Sequence, residues 1–347
     1  MINQARHTKN LFIIDQLKKG SVTPDLLKQY SGWGGLQAII AQPDVYKTLR
    51  EILNEDEIKS LKQTVKNAYY TPAMIVKFTY DWLIHYGFTG GAILEPAVGH
   101  GVFMEYMPQA IKQNSSITAV ELDKLTSQIT KYLYPSMDLY TCGFEEFHPK
   151  NQFDLIIGNP PYGGSTVYDN QHPDLKDYCI HHYFVAKSMR LLKEGGILAM
   201  VLPSYFMDNI TKHVRGIIHQ EGGSLITAYR LPDDLFDNAK VTVDIVFLTK
   251  GKTENPWLKV KDIGVSGVKK PINEFFYQQS GNILGNLELV DMYERKGLTC
   301  KRRGDIDLLL TQEIKNMKLQ KFAKQYLASL DKHVAEVKSI AEMLCVF

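Results

Sequence analysis

"FDLIIGNPPYGG", residues 153–164, is an apolar run that stops abruptly on Asn159, Pro160, Pro161 and Tyr162. A short apolar stretch bounded by turn residues reads as a buried strand. Two adjacent prolines cannot continue a strand or a helix, so the chain must bend at 159–162. The ring at the exit of that bend, Tyr162, is expected near the surface. Similar runs lie on either side: "GAILEP" (91–96), "SITAVEL" (116–122) and "MDLYTC" (137–142) before it, "GILAMVLP" (196–203), "SLITAYRL" (224–231) and "VDIVFLTK" (243–250) after it. Helical stretches separate most of them. Strand and helix in alternation predict an α/β fold: a seven-stranded, mostly parallel, Rossmann-like sheet covered on both faces. The last two strands have only a short polar link between them, which predicts an antiparallel hairpin at one edge.

The flanks read differently. Residues 9–65 read as helices broken by loops, with one unusual string, Gly32-Trp33-Gly34-Gly35, taken as a sharp turn around a buried Trp33. Thr71 is a plausible N-cap, with Pro72 at the first position of a helix whose apolar residues Met74, Ile75, Phe78, Trp82 and Leu83 recur at helical spacing. Residues 253–305 show little regular pattern and read as loops. Residues 306–344 read as helix, with a stripe of Leu327, Leu330, Val334, Val337, Ala341 and Leu344. Such a stripe packs on its own domain, on a second copy or on a separate partner protein. The expected division is an N-terminal helical extension (1–66), a catalytic domain (67–252) and a mostly helical C-terminal accessory region (253–347).

Net charge is +2 over 347 residues, so a nucleic-acid surface would need local clustering of basic residues. Lys269-Lys270 and the run Arg295, Lys296, Lys301, Arg302, Arg303 are such clusters, although a charge run is usually only a solvated face. The four cysteines form no CxxC pair, which fits free thiols in a reducing compartment. Cys179, His181 and His182 lack a second ligand pair at zinc spacing, so no metal is expected. The first twenty residues hold too short an apolar run for a signal peptide or a membrane span, and a cytoplasmic protein without membrane contact is expected.

In a parallel α/β sheet ligands bind beyond the C-terminal strand ends. "LEPAVGHG" puts Glu95 at one such end, followed by Gly99 and Gly101 in a tight loop that lets a ligand approach the backbone. Glu121 ends the next strand, where a carboxylate can take both hydroxyls of a ribose; a capping acid is the other reading. Position 104 is Met, not the last glycine of a dinucleotide loop, and no Gly-Lys-Ser/Thr follows. A small nucleoside ligand such as S-adenosylmethionine is therefore favoured. The 159–162 bend supplies the other half of the chemistry. The Asn159 side-chain oxygen and the Pro160 carbonyl can accept both hydrogens of one planar NH₂ group, and the prolines hold the pair fixed. Tyr162 offers a ring for stacking on the attached heterocycle. An amino group held this way loses conjugation and can attack an electrophilic methyl.

Residues 67–250 resemble the DNA methyltransferases that modify adenine at N6, and their motif order is that of the gamma group. The resemblance implies that Thr71 binds the cofactor's methionine carboxylate. It implies that Glu95, Ala97, Gly99 and Gly101 surround the methionine part, Glu121 takes the ribose, and Leu122, Phe144 and Pro161 enclose the adenine. Asn159, Pro160 and Tyr162 would hold the target base, flipped out of DNA and sandwiched between Tyr162 and Phe236. The stretches "LLKQYSGWGGL" (26–36), "NAYYTPAMIVKF" (67–78) and "NEFFYQQSGNILGNLELVDMY" (273–293) resemble the methylase portion of large methylase–helicase proteins of phages and conjugative elements. Helicase motifs are absent from this sequence, which implies a free-standing methylase or one that works with a separate partner. Modification that evades restriction fits such an origin.

One departure stands out. The family's acid before the aromatic, which holds the adenine amino group, is here Gly143; Glu145 or Glu146 would have to replace it, or the contact is absent. "DNQHPDLKDYCIHHY" (169–183) reads as a mobile lid beside the substrate. Three other readings stay open: methylation of adenine in RNA, methylation of glutamine in protein, and a non-catalytic module that binds S-adenosylmethionine or DNA.

Overall fold

The structure, a computed structural model, describes residues 2–65, 71–211, 213–236, 240–292 and 295–317. Seven strands form the central sheet: β1 (Ala92–Glu95), β2 (Ser116–Val120), β3 (Asp138–Tyr140), β4 (Phe153–Gly158), β5 (Leu192–Pro203), β6 (Gly223–Arg230) and β7 (Val243–Lys250). Their order is β3-β2-β1-β4-β5-β7-β6. The pairs among β1 to β5 are parallel, whereas β7 runs antiparallel to both β5 and β6. This is the Rossmann-like sheet, with its antiparallel edge, that the strand pattern predicts.

The continuous apolar runs follow from burial on both faces. Successive residues of β4 alternate: Leu155 and Ile157 join one core with Ile75, Phe78 and Trp82, while Ile156 joins a second core with Phe184, Met189 and Phe206. The first core lies under helix α6 (Ala73–Tyr86), whose Phe78 and Trp82 face the sheet. The expected Thr71 cap is not formed: the helix starts at Ala73, Pro72 takes the N-cap place, and the Thr71 side chain makes no cap hydrogen bond. A proline without an N–H suits that position.

Five helices precede α6: α1 (Ile2–Lys18), α2 (Pro24–Leu27), α3 (Gln37–Ile40), α4 (Pro43–Ile52) and α5 (Glu55–Thr64). Asn54 and Glu57 form a reciprocal capping box at the start of α5, at 2.9 and 2.8 Å. Their shared core includes Leu125 and Ile129 of α9 (Lys124–Leu133), the helix that follows β2, so the extension docks against the sheet domain. Ser60 Oγ donates to Asp123 Oδ1 at 2.6 Å, and Lys124 pairs with Asp56 across the same junction.

Residues 253–305 depart from the loops expected there. They form hairpin β8 (Val260–Val265) with β9 (Val268–Asn273), a short helix Glu274–Gln278, and hairpin β10 (Gly285–Met292) with β11 (Arg295–Arg302). The β8–β9 ribbon carries exposed Lys261, Asp262 and Lys269 and buries few side chains, so no apolar alternation announced it. Residues 306–317 are helical; the stripe from Leu327 to Leu344 lies outside the described residues.

Candidate cofactor and substrate site

Because β1, β2, β3 and β4 run parallel, their C-terminal ends meet at one edge of the sheet. A cavity of about 170 Å³ opens there. Its wall includes Thr71, Glu95, Ala97, Gly99, Glu121, Leu122 and Phe144, together with Asn159 and Pro161 of the bend. Nine of the thirteen predicted site residues therefore share one cavity. Gly101, Pro160, Tyr162 and Phe236 do not line it.

The loop after β1 is shaped by its glycines. Gly99 and Gly101 have φ of +55° and +87°, a region that favours residues without a Cβ. A Cβ on Gly101 would collide with the ring of Tyr134, so this glycine lets the loop pack on the end of α9. Gly99 N donates to Glu121 Oε2 at 2.8 Å, and Asp123 N donates to Glu121 Oε1 at 2.7 Å. Glu121 thus holds the loop by both oxygens and keeps further lone pairs for a ligand. Burial, aided by nearby Asp123, pushes its pKa up to about 7. Glu95 is 1% exposed, and its Oε2 finds no partner among the described residues. Burial and the charge of Glu121 raise its pKa well above the ordinary carboxylate range.

Gly143 proves to have a steric meaning. A Cβ there would lie within 2.6 Å of the carboxylate of Glu145, which lines the cavity beside Phe144. The Glu145 carboxylate thus lies beside position 143 in the cavity wall, and Glu146 is not part of that wall. Phe144 is held from behind. Lys187, fully buried, donates to the Phe144 carbonyl at 2.6 Å and to Asp169 Oδ2 at 2.8 Å, with its ammonium 4.8 Å from the Phe144 ring. Tyr183 OH donates to the same Asp169 oxygen at 2.6 Å. The stretch expected as a mobile lid is therefore pinned at Asp169, and its residues from Ile180 onward begin a helix, Ile180–Leu191.

The bend itself differs from its expected form in one respect. Tyr162 is 9% exposed and joins the same core cluster as Phe236 rather than standing near the surface. Its hydroxyl lies 2.5 Å from Asn159 Oδ1 and 2.9 Å from the carbonyl of Val201. One proton serves one acceptor at a time, so the hydroxyl braces Asn159 against the end of β5. Asn159 keeps a place in the cavity wall.

Sequence reasoning missed Trp33, Gln63 and Thr64, which reach the cavity from the N-terminal helices. Trp33 was legible only as a tryptophan among glycines. The fit to a ligand such as S-adenosylmethionine rests on this wall. It combines apolar surface from Val98, Leu122 and Phe144 with two buried polar atoms that lack partners among the described residues, Trp33 Nε1 and Glu95 Oε2.

Outside the cavity, Cys179, His181 and His182 each bring a potential ligand atom within 4.8 Å of the others. A tetrahedral zinc needs such atoms about 3.4–3.8 Å apart. Burial and then the Arg215 charge hold the His182 imidazole down to about 4, and that charge opposes a cation at the site. The basic residues around β11 are matched by acids: Lys301 pairs with Asp233 at 2.6 Å, Arg302 with Asp234 at 2.8 Å and Lys296 with Asp291 at 2.7 Å. No helix among the described residues is long and apolar enough to cross a membrane.

Residues 104–224 match the family model described as Eco57I restriction-modification methylase. This stretch is similar to the restriction–modification methylases. The chain is 27% identical over 192 residues to the Defense against restriction protein B of Escherichia phage P1, covering 54% of this chain and 8% of that protein. It is 31% identical over 161 residues to the Type II methyltransferase M.HincII of Haemophilus influenzae, covering 43% of this chain and 30% of that one. With the Type II methyltransferase M.TthHB8I of Thermus thermophilus the identity is 29% over 180 residues, 47% of this chain and 40% of that one. The chain thus spans well under half the length of these relatives. Its sheet has a Rossmann-like order, with parallel strands through β5 and an antiparallel edge.

Proposed function

We propose that this chain transfers a methyl group from S-adenosylmethionine to the N6 amino group of adenine in DNA. The observation that carries the reading is the meeting of two motifs in one cavity: Asn159 and Pro161 of the bend line the same wall as Glu95, Gly99 and Glu121. The choice of DNA rests on the restriction–modification type of the relatives.

Bound S-adenosylmethionine would supply an electrophilic methyl on a sulfonium. Thr71 would hold its carboxylate, Glu95, Ala97, Gly99 and Gly101 its methionine part, and Glu121 its ribose. Leu122, Phe144 and Pro161 would enclose the adenine, and Glu145 would accept a hydrogen bond from the adenine amino group in place of an acid at Gly143. A base inside a duplex cannot reach a pocket, so the target adenine is flipped out at a cost of a few kcal/mol. Asn159 Oδ1 and the Pro160 carbonyl accept its two amino hydrogens and localise the nitrogen lone pair. Tyr162 orients Asn159 through its hydroxyl, and Tyr162 and Phe236 form the aromatic wall for the base. Tyr162 and Phe236 are both buried in one core cluster, so opening this wall is part of base entry.

Transfer of tritium from labelled S-adenosylmethionine to duplex DNA, RNA and protein tests the reading. Label on adenine N6 in DNA is expected; label on RNA or on glutamine would redirect it, and calorimetry without cofactor binding would remove it. Asn159→Ala is expected to abolish transfer while leaving cofactor affinity nearly unchanged.

A further inference from the structure

Trp33 is 1% exposed, lines the cofactor cavity, and its indole Nε1 finds no hydrogen-bond partner among the described residues. The loop that carries it is fixed with care. Gly32 and Gly35 adopt φ of +60° and +74°. Asn10 donates to the Gly32 carbonyl at 2.6 Å and accepts from Ser31 N at 3.1 Å, and Arg6 donates to the carbonyls of Ser31 and Gly34 at 3.1 and 3.2 Å. The carbonyls of Ser31, Gly32 and Gly34 are thus bonded by α1, whereas the indole Nε1 of Trp33, a residue of the cavity wall, has no partner among the described residues. The ring meets Tyr30 edge-on at 6.2 Å, so its orientation is set by packing.

A buried donor without a partner is a net cost to the folded state, and nearly all such groups in proteins find one. An indole N–H donates only, so its missing partner is an acceptor. The N-terminal helices are also tied to the strand end that carries the site. Ser60 Oγ donates to Asp123, and Asp123 N donates to Glu121.

We infer that the N-terminal helical extension is a working wall of the cofactor site, in which the Trp33 indole N–H donates a hydrogen bond to an oxygen of bound S-adenosylmethionine. The inference rests on the S-adenosylmethionine reading above. It makes residues 1–65 part of the binding machinery and not an appendage to a self-sufficient domain.

The test uses the full chain and S-adenosylhomocysteine as the probe. Trp33→Phe is expected to weaken binding about tenfold, as loss of one well-placed hydrogen bond does. The smaller ring leaves part of a buried site unfilled, so some loss of thermal stability is expected on either reading and affinity is the deciding readout. A tryptophan that is only structural gives unchanged affinity in the folded variant. Indole ¹⁵N–¹H spectra of the wild type give a second readout that needs no variant to fold. The protein has three tryptophans, Trp33, Trp82 and Trp257, and the Trp33 signal is expected to move downfield on saturation with the probe. Binding with an unmoved Trp33 signal would overturn this inference alone. No binding by the wild type would overturn the cofactor reading and this inference with it.

Discussion

The carboxylate of Glu145 occupies the space that a side chain on Gly143 would need: an ideal Cβ at 143 lies within 2.6 Å of its carboxyl atoms. Gly143→Ala should therefore push the carboxylate aside and act like Glu145→Ala. Both variants are expected to lose discrimination between S-adenosylhomocysteine and its 6-oxo analogue by about tenfold, the worth of a hydrogen bond to a charged acceptor. The double variant Gly143→Asp, Glu145→Ala should recover it, since an aspartate at 143 returns a carboxylate to that space. Calorimetry with the two nucleosides is the check; unchanged discrimination in Glu145→Ala would remove the assignment.

The Tyr162 hydroxyl, between Asn159 Oδ1 and the Val201 carbonyl, makes a second prediction. Tyr162→Phe keeps the ring and removes the brace. Turnover should fall at least about tenfold through loss of orientation at Asn159, with cofactor affinity unaltered. Stability should fall by about 1 kcal/mol. If single-turnover rates match those of the wild type, Tyr162 serves as packing only.

Glu121 predicts a pH profile. Its pKa in the protein is raised to about 7, chiefly by burial, so the acid is largely neutral below that pH. Ribose hydroxyls donate best to the ionised carboxylate, so binding must release the proton. Affinity for S-adenosylhomocysteine is expected to rise as pH goes from about 5.5 to about 7, by at most tenfold per unit for one proton, and to level off above. Glu121→Gln should flatten the profile. Calorimetry in buffers of different ionisation enthalpy would count the proton released; none released at pH 6 contradicts the assignment.

Asp169 predicts a stability effect away from the cavity. Burial raises its pKa, but hydrogen bonds from Lys187 and Tyr183 outweigh this and hold it down at about 2, below the ordinary 3.8. A depressed carboxylate stabilises the fold above its unfolded value and ceases to as pH falls through the folded one. Asp169→Asn leaves Lys187 buried without its counter-charge and should cost about 3–5 kcal/mol near neutral pH. The gap between variant and wild type, followed by urea denaturation, should narrow between about pH 4 and pH 2. A gap that stays constant over that range would assign the role to packing.

Much of this molecule was legible from local pattern. All seven sheet strands fall on the apolar runs read from the sequence, with the two last strands antiparallel as their short link predicts. A parallel strand buried on both faces must be apolar throughout, and that property is visible without a fold. The β8–β9 hairpin was not legible because it buries few side chains, and a ribbon without a packed face shows no apolar alternation.

What sequence alone determined is therefore the series of buried strands, the bend forced by Pro160 and Pro161, and the loop whose glycines bring Gly99 within reach of Glu121. Each follows from backbone restriction or from burial along one short stretch. Tertiary structure decided where distant side chains meet. Tyr162 turned into the core to brace Asn159, Glu145 filled the space left by Gly143, and Trp33 came in from a helical region 60 or so residues from the loop it faces. Those outcomes depend on how helices dock on the sheet, through contacts such as Ser60 with Asp123, and packing between separate segments leaves no period in the chain.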